Sequence, residues 1–287
     1  MALRCRTSDR TAAAALGAEE LALLVGERLG CEPRVIGTLE DPRQAAFEAD
    51  VRDGRGCLLE AGGQVDDALS GVNLPVLLAA ECSVALTTLP TVLAHRPEAR
   101  VLWLDAHGDF NTPATTASGY LGGMALAGAT GLWNPGLGVG SIAAGSVVLA
   151  GVRDLDPPER EALERSDVTV IGASPVETLV AVNNALDGAP VYLHIDLDVL
   201  DPESFPAREG FGTDAESFES PSPAPGGLSP EKLFDVLESV ADSCEIVGLE
   251  VTAFEAPGDP LERQAAASTA LHVLEPLLDA IFARTDV

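Results

Sequence analysis

Apolar residues along the chain fall into two recurring patterns: short, β-branched runs and longer stretches at helical spacing. The short runs are residues 75–80 (PVLLAA), 100–106 (RVLWLDA), 146–152 (SVVLAGV), 168–171, 190–197 (PVYLHIDL) and 245–250 (EIVGLE). They are continuous rather than alternating, as strands of a parallel sheet buried on both faces should be. Helix-start signals stand between them. Asp156-Pro-Pro-Glu159 and Ser174-Pro-Val-Glu177 read as capping boxes with proline at the first helical position. Ser229-Pro230 opens a segment that places Leu233, Val236, Leu237 and Val240 on one face. Alternating strands and helices predict an α/β fold with right-handed crossovers and one parallel sheet covered by helices. There is no internal repeat and no linker, so residues 1–287 are expected to form one domain. Two segments break the alternation, 112–145 (rich in Gly, Thr and Ala) and 202–227 (rich in Pro, Ser and Gly). Long irregular loops inside a compact domain are more often functional than decorative.

Composition narrows the class. Hydrophobic residues are 46% of the chain, enough for a full core. Lys and Arg number 17 against 45 Asp and Glu, a formal charge of −28. Such a surface repels phosphate backbones, which argues against nucleic acid as a partner, and attracts cations. No uninterrupted apolar run reaches the roughly 18 residues that span a bilayer, and no membrane partner is expected. The N-terminus lacks the sustained apolar core of a signal peptide. The five cysteines (Cys5, Cys31, Cys57, Cys82, Cys244) are odd in number, far apart and never in C-x-x-C. That spacing predicts no disulfide framework and a reducing, cytoplasmic setting.

The chemistry concentrates at two strand ends. In Asp105-Ala-His107-Gly-Asp109-Phe-Asn111, the acids and the histidine alternate, so an extended backbone would aim all three one way. Asp196-Leu-Asp198-Val-Leu-Asp201-Pro repeats the spacing at the end of another strand. Ligands of open α/β sheets bind at the carboxyl ends of strands. Four carboxylates and an imidazole drawn together without a cation would repel one another, and a divalent metal resolves the conflict. Oxygen and nitrogen donors suit hard or borderline ions such as manganese.

The motifs D-A-H-x-D-x-N and D-x-D-x-x-D-P resemble those of the arginase–agmatinase (ureohydrolase) superfamily. The resemblance runs from about residue 76 to about 255 in the family's motif order. It implies a three-layer α/β/α fold around a mostly parallel sheet of about eight strands. It also implies hydrolysis of a guanidino group at a centre of two Mn²⁺ per subunit, with attack by a metal-bridging hydroxide. Asp105 and Asp196 would bridge the ions, Asp109 would complete one site, and His107 with Asp198 the other. Asp109 would also orient the hydroxide and return its proton to the departing amine. Glu250 matches the acid that pairs with the guanidino group. Asn111, Thr116 and Ser118 match the positions that grip an amino acid's carboxylate, and Asp156 with Glu159 those that hold its ammonium. The substrate implied is a small guanidino amino acid, and a homo-oligomer is compatible with the family.

Two positions depart from the pattern. Where members carry G-G-D-H-S with a ligand histidine, this chain has Ala79-Ala-Glu-Cys82-Ser83, so Cys82 is expected to be the ligand. Thiolate prefers softer ions than manganese. Where arginases carry a proton-shuttling histidine, this chain has Gly122, and Tyr120 replaces an asparagine. Loss of the imidazole is expected to open space beside the guanidine. Together the departures resemble the branch of the superfamily that splits Nω-hydroxy-L-arginine into L-ornithine and hydroxyurea in D-cycloserine biosynthesis. An arginase with a modified site and a non-catalytic paralogue are the alternatives. His194, two residues before Asp196, is expected to face the same way but deeper; His95 and His272 are expected on helices away from the site.

Overall fold

The computed structural model describes residues 1–71, 73–173, 178–205 and 225–285. The Ser174 helix start and most of the 202–227 loop therefore lie outside the described residues. The chain begins with β1 (Ala2–Leu3), α1 (Ala12–Leu29), β2 (Val35–Ile36), α2 (Phe47–Ser70), β3 (Val76–Leu78) and α3 (Ala85–His95). It continues with β4 (Arg100–Leu104), α4 (Ala125–Ala129), β5 (Val147–Val152), α5 (Pro157–Glu164), β6 (Thr169–Gly172) and α6 (Thr178–Leu186). The last elements are β7 (Val191–Asp196), α7 (Pro230–Ser243), β8 (Ile246–Thr252) and α8 (Pro260–Thr285).

The eight strands form one parallel sheet in the order β2-β1-β3-β8-β7-β4-β5-β6. The six apolar runs are the six longer strands. The two-residue β1 and β2 carry too little pattern to be read from sequence. Alternate strand residues enter different cores, because successive side chains point to opposite faces. Leu102, Leu104, Leu193, Ile195, Leu249 and Val251 pack with residues of α1, α6, α7 and α8. Val101, Trp103, Val147, Leu149, Tyr192 and Val247 pack with residues of α2, α3, α4 and α5. The result is the three-layer α/β/α sandwich expected. One segment, Pro260–Ala283, is long and apolar enough by length and composition to cross a membrane. Its apolarity has a local cause: Ala267, Ala270, Val273, Leu274, Leu277 and Leu278 are buried in the first core.

Two expectations need correction. Cys5 and Cys57 are joined as a disulfide across 52 residues of sequence. Distance along the chain did not bound distance in space, since the segment after β1 runs beside α2. The Asp156 capping box does not form. Asp156 is the N-cap of α5 but makes no side-chain cap bond. Pro157 and Pro158 offer no N–H there, and the Glu159 side chain turns inward to another partner. Ser229, by contrast, accepts a bond from the Lys232 N–H at 3.3 Å, and Leu233, Val236, Leu237 and Val240 are all buried.

Candidate metal centre and active site

β4, β7 and β8 are neighbours, and their register sets Trp103, His194 and Glu250 side by side across the sheet. Two residues further along each strand stand Asp105, Asp196 and Thr252, at the carboxyl edge. The acids do not converge through extended backbone, as the alternation suggested. β4 stops at Leu104, and Asp105 Oδ1 accepts from the His107 N–H at 2.7 Å. The second strand end repeats the turn: Asp196 Oδ1 accepts from the Asp198 N–H at 2.8 Å, opening the single 3₁₀ turn Leu197–Val199. Short aspartate side chains bond readily to backbone two residues on, and here that bond curls each end over the site. Asp109 sits at φ 47°, in the left-handed region that aspartate tolerates better than most residues. Ala253, just past β8, sits there too, at φ 59°. Such backbone persists where surrounding structure holds it, and it gathers at functional sites.

Asp198 ties the two ends together. Its Oδ1 accepts from the Ala106 N–H at 3.0 Å, and its Oδ2 lies 2.8 Å from His107 Nδ1. Cys82, in the 3₁₀ turn after β3, reaches Asp196 Oδ2 at 3.0 Å and Thr252 Oγ1 at 3.3 Å. Trp103 Nε1 donates to Asp105 Oδ2 at 2.9 Å. Asp105, Asp109, Asp196 and Asp198 are buried, while the His107 side chain remains 44% exposed.

The donors themselves decide whether the site fits metal. Among the described residues, two groups have ligand atoms mutually within 4.8 Å: Cys82, Asp105 and His194, and Asp105, His107 and Asp198. Asp105 belongs to both, as a bridging carboxylate must. Burial and the facing Asp198 push the Asp105 carboxyl above its ordinary range; burial and Asp105 push Asp109 well above it. Burial drives the Cys82 thiol well up, with Asp196 adding to the effect. Burial would raise Asp198 as well, yet the adjacent His107 holds it far below the usual carboxylate range. Asp109 Oδ2 is buried with no hydrogen-bond partner. Anionic oxygens crowded out of water in this way are an arrangement that a divalent cation relieves. The residues present fit such ions.

Beside the cluster, Asn111 Nδ2 donates to Asp156 Oδ2 at 3.3 Å, and buried Asn111 Oδ1 has no partner. Glu159 is buried and accepts from the Phe110 N–H at 2.9 Å; burial raises its carboxyl to about 7. A side chain at Gly108 would stand 2.8 Å from the Glu159 carboxyl carbon, so glycine there is what admits Glu159. Asn111, Asp156 and Glu159 thus lie together beside the cluster. Thr116 and Ser118 instead accept from the backbone of their own loop, at Gly119 N (3.1 Å) and Tyr120 N (3.2 Å).

Two further placements correct the expectations. A Cβ at Gly122 would meet the Tyr120 ring at 2.7 Å and Glu81 Oε2 at 3.1 Å. The volume freed by the missing imidazole is therefore filled by the phenol ring two residues earlier. Glu250 is fully buried, with Oε1 against His194 Nδ1 at 2.6 Å and Oε2 accepting from Thr88 and Tyr192. Both oxygens are engaged inside the protein, so Glu250 does not face a guanidino group. His95 and His272 lie on the surface as expected, paired with Asp66 and Glu275. Sequence reading missed Trp103 and Thr252. Trp103 was detectable by the same two-residue spacing that placed His194, whereas Thr252 has no signal short of the strand register.

The family model for the arginase family matches residues 46–278. The chain is 36% identical over 97% of its length to an N(omega)-hydroxy-L-arginine amidinohydrolase from Streptomyces lavendulae, covering 96% of that protein. It is 32% identical to an arginase from Bacillus caldovelox, over 72% of this chain and 70% of the relative. The crystal structure of arginase from Bacillus cereus superposes with a TM-score of 0.78 at 23% identity, covering 96% of each chain, which speaks for the fold. With the motif match across most of its length and the same architecture, the chain belongs to the arginase family.

Proposed function

We propose that the chain hydrolyses Nω-hydroxy-L-arginine to L-ornithine and hydroxyurea, using two Mn²⁺ held by the clustered carboxylates. Membership of the arginase family already makes it a hydrolase acting on amidine C–N bonds. The observation that carries the finer reading is the wall at Gly122, where the Tyr120 ring occupies the place in which an arginase carries its shuttling histidine. Of the four histidines in the chain, His95 and His272 are on the surface, His194 is sealed against Glu250, and His107 is committed to Asp198 in the candidate metal cluster. No imidazole is left to manage protons at that wall. N-hydroxylation makes a guanidine less basic, so its hydrolysis depends less on such a group. The Streptomyces lavendulae relative supports the same substrate.

The bound ions would supply a nucleophile at neutral pH by acidifying water, and would draw charge from the substrate. The protein's own residues do the rest. Asp105 and Asp198 hold the two strand ends in one geometry. Asp109, with Oδ2 turned to no protein donor, takes the proton of the attacking water and passes it to the ornithine nitrogen as the C–N bond breaks. One water is consumed, and the hydroxyamidine carbon leaves as hydroxyurea. Asn111 would donate to the substrate carboxylate, with the hydroxyl hydrogens of Thr116 and Ser118 left free to do the same while their oxygens accept within their own loop, and Asp156 and Glu159 would supply acceptors for its ammonium. Removal of a hydrogen-bonded charge from such a site discriminates strongly among substrates.

The test is a panel of Nω-hydroxy-L-arginine, L-arginine, agmatine and guanidinobutyrate with the manganese-loaded protein. Highest kcat/KM on the hydroxylated substrate is expected. Faster hydrolysis of arginine would overturn the assignment, and no turnover with sub-stoichiometric metal would point to a non-catalytic paralogue.

A further inference from the structure

Cys82 replaces the histidine that the family motif places at this position, yet an imidazole still faces the site. His194 Nε2 lies 3.3 Å from Cys82 Sγ, and the ligand atoms of Cys82, Asp105 and His194 fall within 4.8 Å of one another. All three side chains are buried. The other ring nitrogen, Nδ1, lies 2.6 Å from Glu250 Oε1. Glu250 Oε2 already accepts from Tyr192 OH at 2.9 Å and Thr88 Oγ1 at 2.6 Å. With those donors converging on it, Glu250 acts as the acceptor, so Nδ1 carries the proton and the Nε2 lone pair points toward the sulfur. Trp103 stacks on the ring at 3.5 Å and 16°, fixing its plane. Carboxylate, imidazole and ligand pocket in line is the arrangement by which proteins orient and strengthen a metal-binding histidine.

We propose that His194 is a metal ligand, completing with Cys82 and Asp105 a sulfur, nitrogen and oxygen site for a borderline-soft divalent ion such as zinc or cobalt. The imidazole is thereby moved from the turn after β3 to strand β7. The inference rests on reading the carboxylate cluster as a two-metal centre, and it replaces manganese with a softer ion at one of the two sites. The second ion, on Asp105, His107 and Asp198, keeps harder donors suited to manganese, whereas thiolate with imidazole favours zinc or cobalt. The spacing is compatible: metal bonds of about 2.3 Å to sulfur and about 2.1 Å to nitrogen meet at roughly 100° when their ends are 3.3 Å apart. On uptake the Cys82 S–H bond gives its proton to solvent and sulfur binds the ion, so loading releases one proton.

The experiment titrates the metal-free full chain with Co²⁺, following the thiolate-to-cobalt absorption band, and examines the adduct with one Zn²⁺ per chain by X-ray absorption. Wild type is expected to give the band, and Cys82→Ser to lose it. His194→Ala should weaken cobalt binding by more than about 100-fold and remove one imidazole from the zinc shell. Glu250→Gln should weaken binding about 10- to 100-fold while keeping that imidazole. A urea midpoint for each variant separates ligand loss from unfolding, with His194→Asn standing in if the alanine variant does not fold. A zinc shell and cobalt affinity unchanged in His194→Ala or His194→Asn would overturn the proposal. So would a wild type that gives no thiolate band yet binds Mn²⁺ in a manner abolished by Asp198→Asn, and in that case the two-metal reading stands. A wild type that binds no divalent ion overturns both.

Discussion

Asp9 is a carboxyl group held where ionisation is costly. It is buried, Oδ2 accepts the Thr7 N–H at 3.3 Å, Oδ1 has no partner, and the Glu81 carboxyl is close. Burial first, then Glu81, raises it to about 7 from an unfolded value near 3.8. Between those values the folded chain holds a proton that the unfolded chain has released, so stability falls as pH rises and levels off above about 7. Asp9→Asn is expected to be more stable than wild type by about 1–3 kcal/mol at pH 8 and little different near pH 4, since each tenfold change in proton affinity is worth about 1.4 kcal/mol. Urea midpoints at the two pH values check this; a constant difference would mean that Asp9 is already ionised. At the carboxylate cluster, Asp196→Asn is expected to lower turnover and manganese content together, by more than about 100-fold. Appreciable activity left in that variant would remove Asp196 from the centre. The residues legible in sequence were those repeating a charged type at two-residue spacing. Glu250 was misread because a carboxylate near a motif looks alike whether it faces the cleft or is sealed against a histidine.

Helices α5 and α7 begin with similar sequences but different chemistry. Ser229→Ala removes the bond to Lys232 N–H and is expected to cost about 1 kcal/mol in urea unfolding. Asp156→Ala removes no cap, because that side chain accepts from Asn111 instead. Its stability should stay within about 0.5 kcal/mol of wild type, while KM for an α-amino acid substrate rises. A drop in stability without a change in KM would return Asp156 to a helix-capping role. Five of the six longer strands were legible because parallel strands buried on both faces write themselves as unbroken apolar runs, whereas β6, exposed at the sheet edge, was legible only from its short β-branched run. The curl of each strand end was not, since a one-residue change from extended to turn leaves the same two-residue spacing in the sequence.

Across the whole molecule, 45 acidic residues face 17 basic ones. A net charge of −28 pushes the compact state apart, and salt screens that repulsion. The urea midpoint is therefore expected to rise as sodium chloride goes from 0.01 to 0.15 M, where the Debye length shrinks from about 30 to about 8 Å. A midpoint that falls with salt would show that exposed paired charges, such as Lys232 and Asp235 at 3.0 Å, outweigh the surplus. Family and layering could be read from motif order and strand–helix alternation. The Cys5–Cys57 bond could not, because it joins residues whose proximity only the assembled sheet creates.

The strand order has one more consequence. β7 lies between β4, made about 90 residues earlier, and β8, made about 50 later. During synthesis on the ribosome, the first acidic turn therefore waits, half-built, while the rest of the chain emerges. Only when the closing strands slot in beside it does the pocket exist, so the candidate site is completed among the final events in the birth of each molecule.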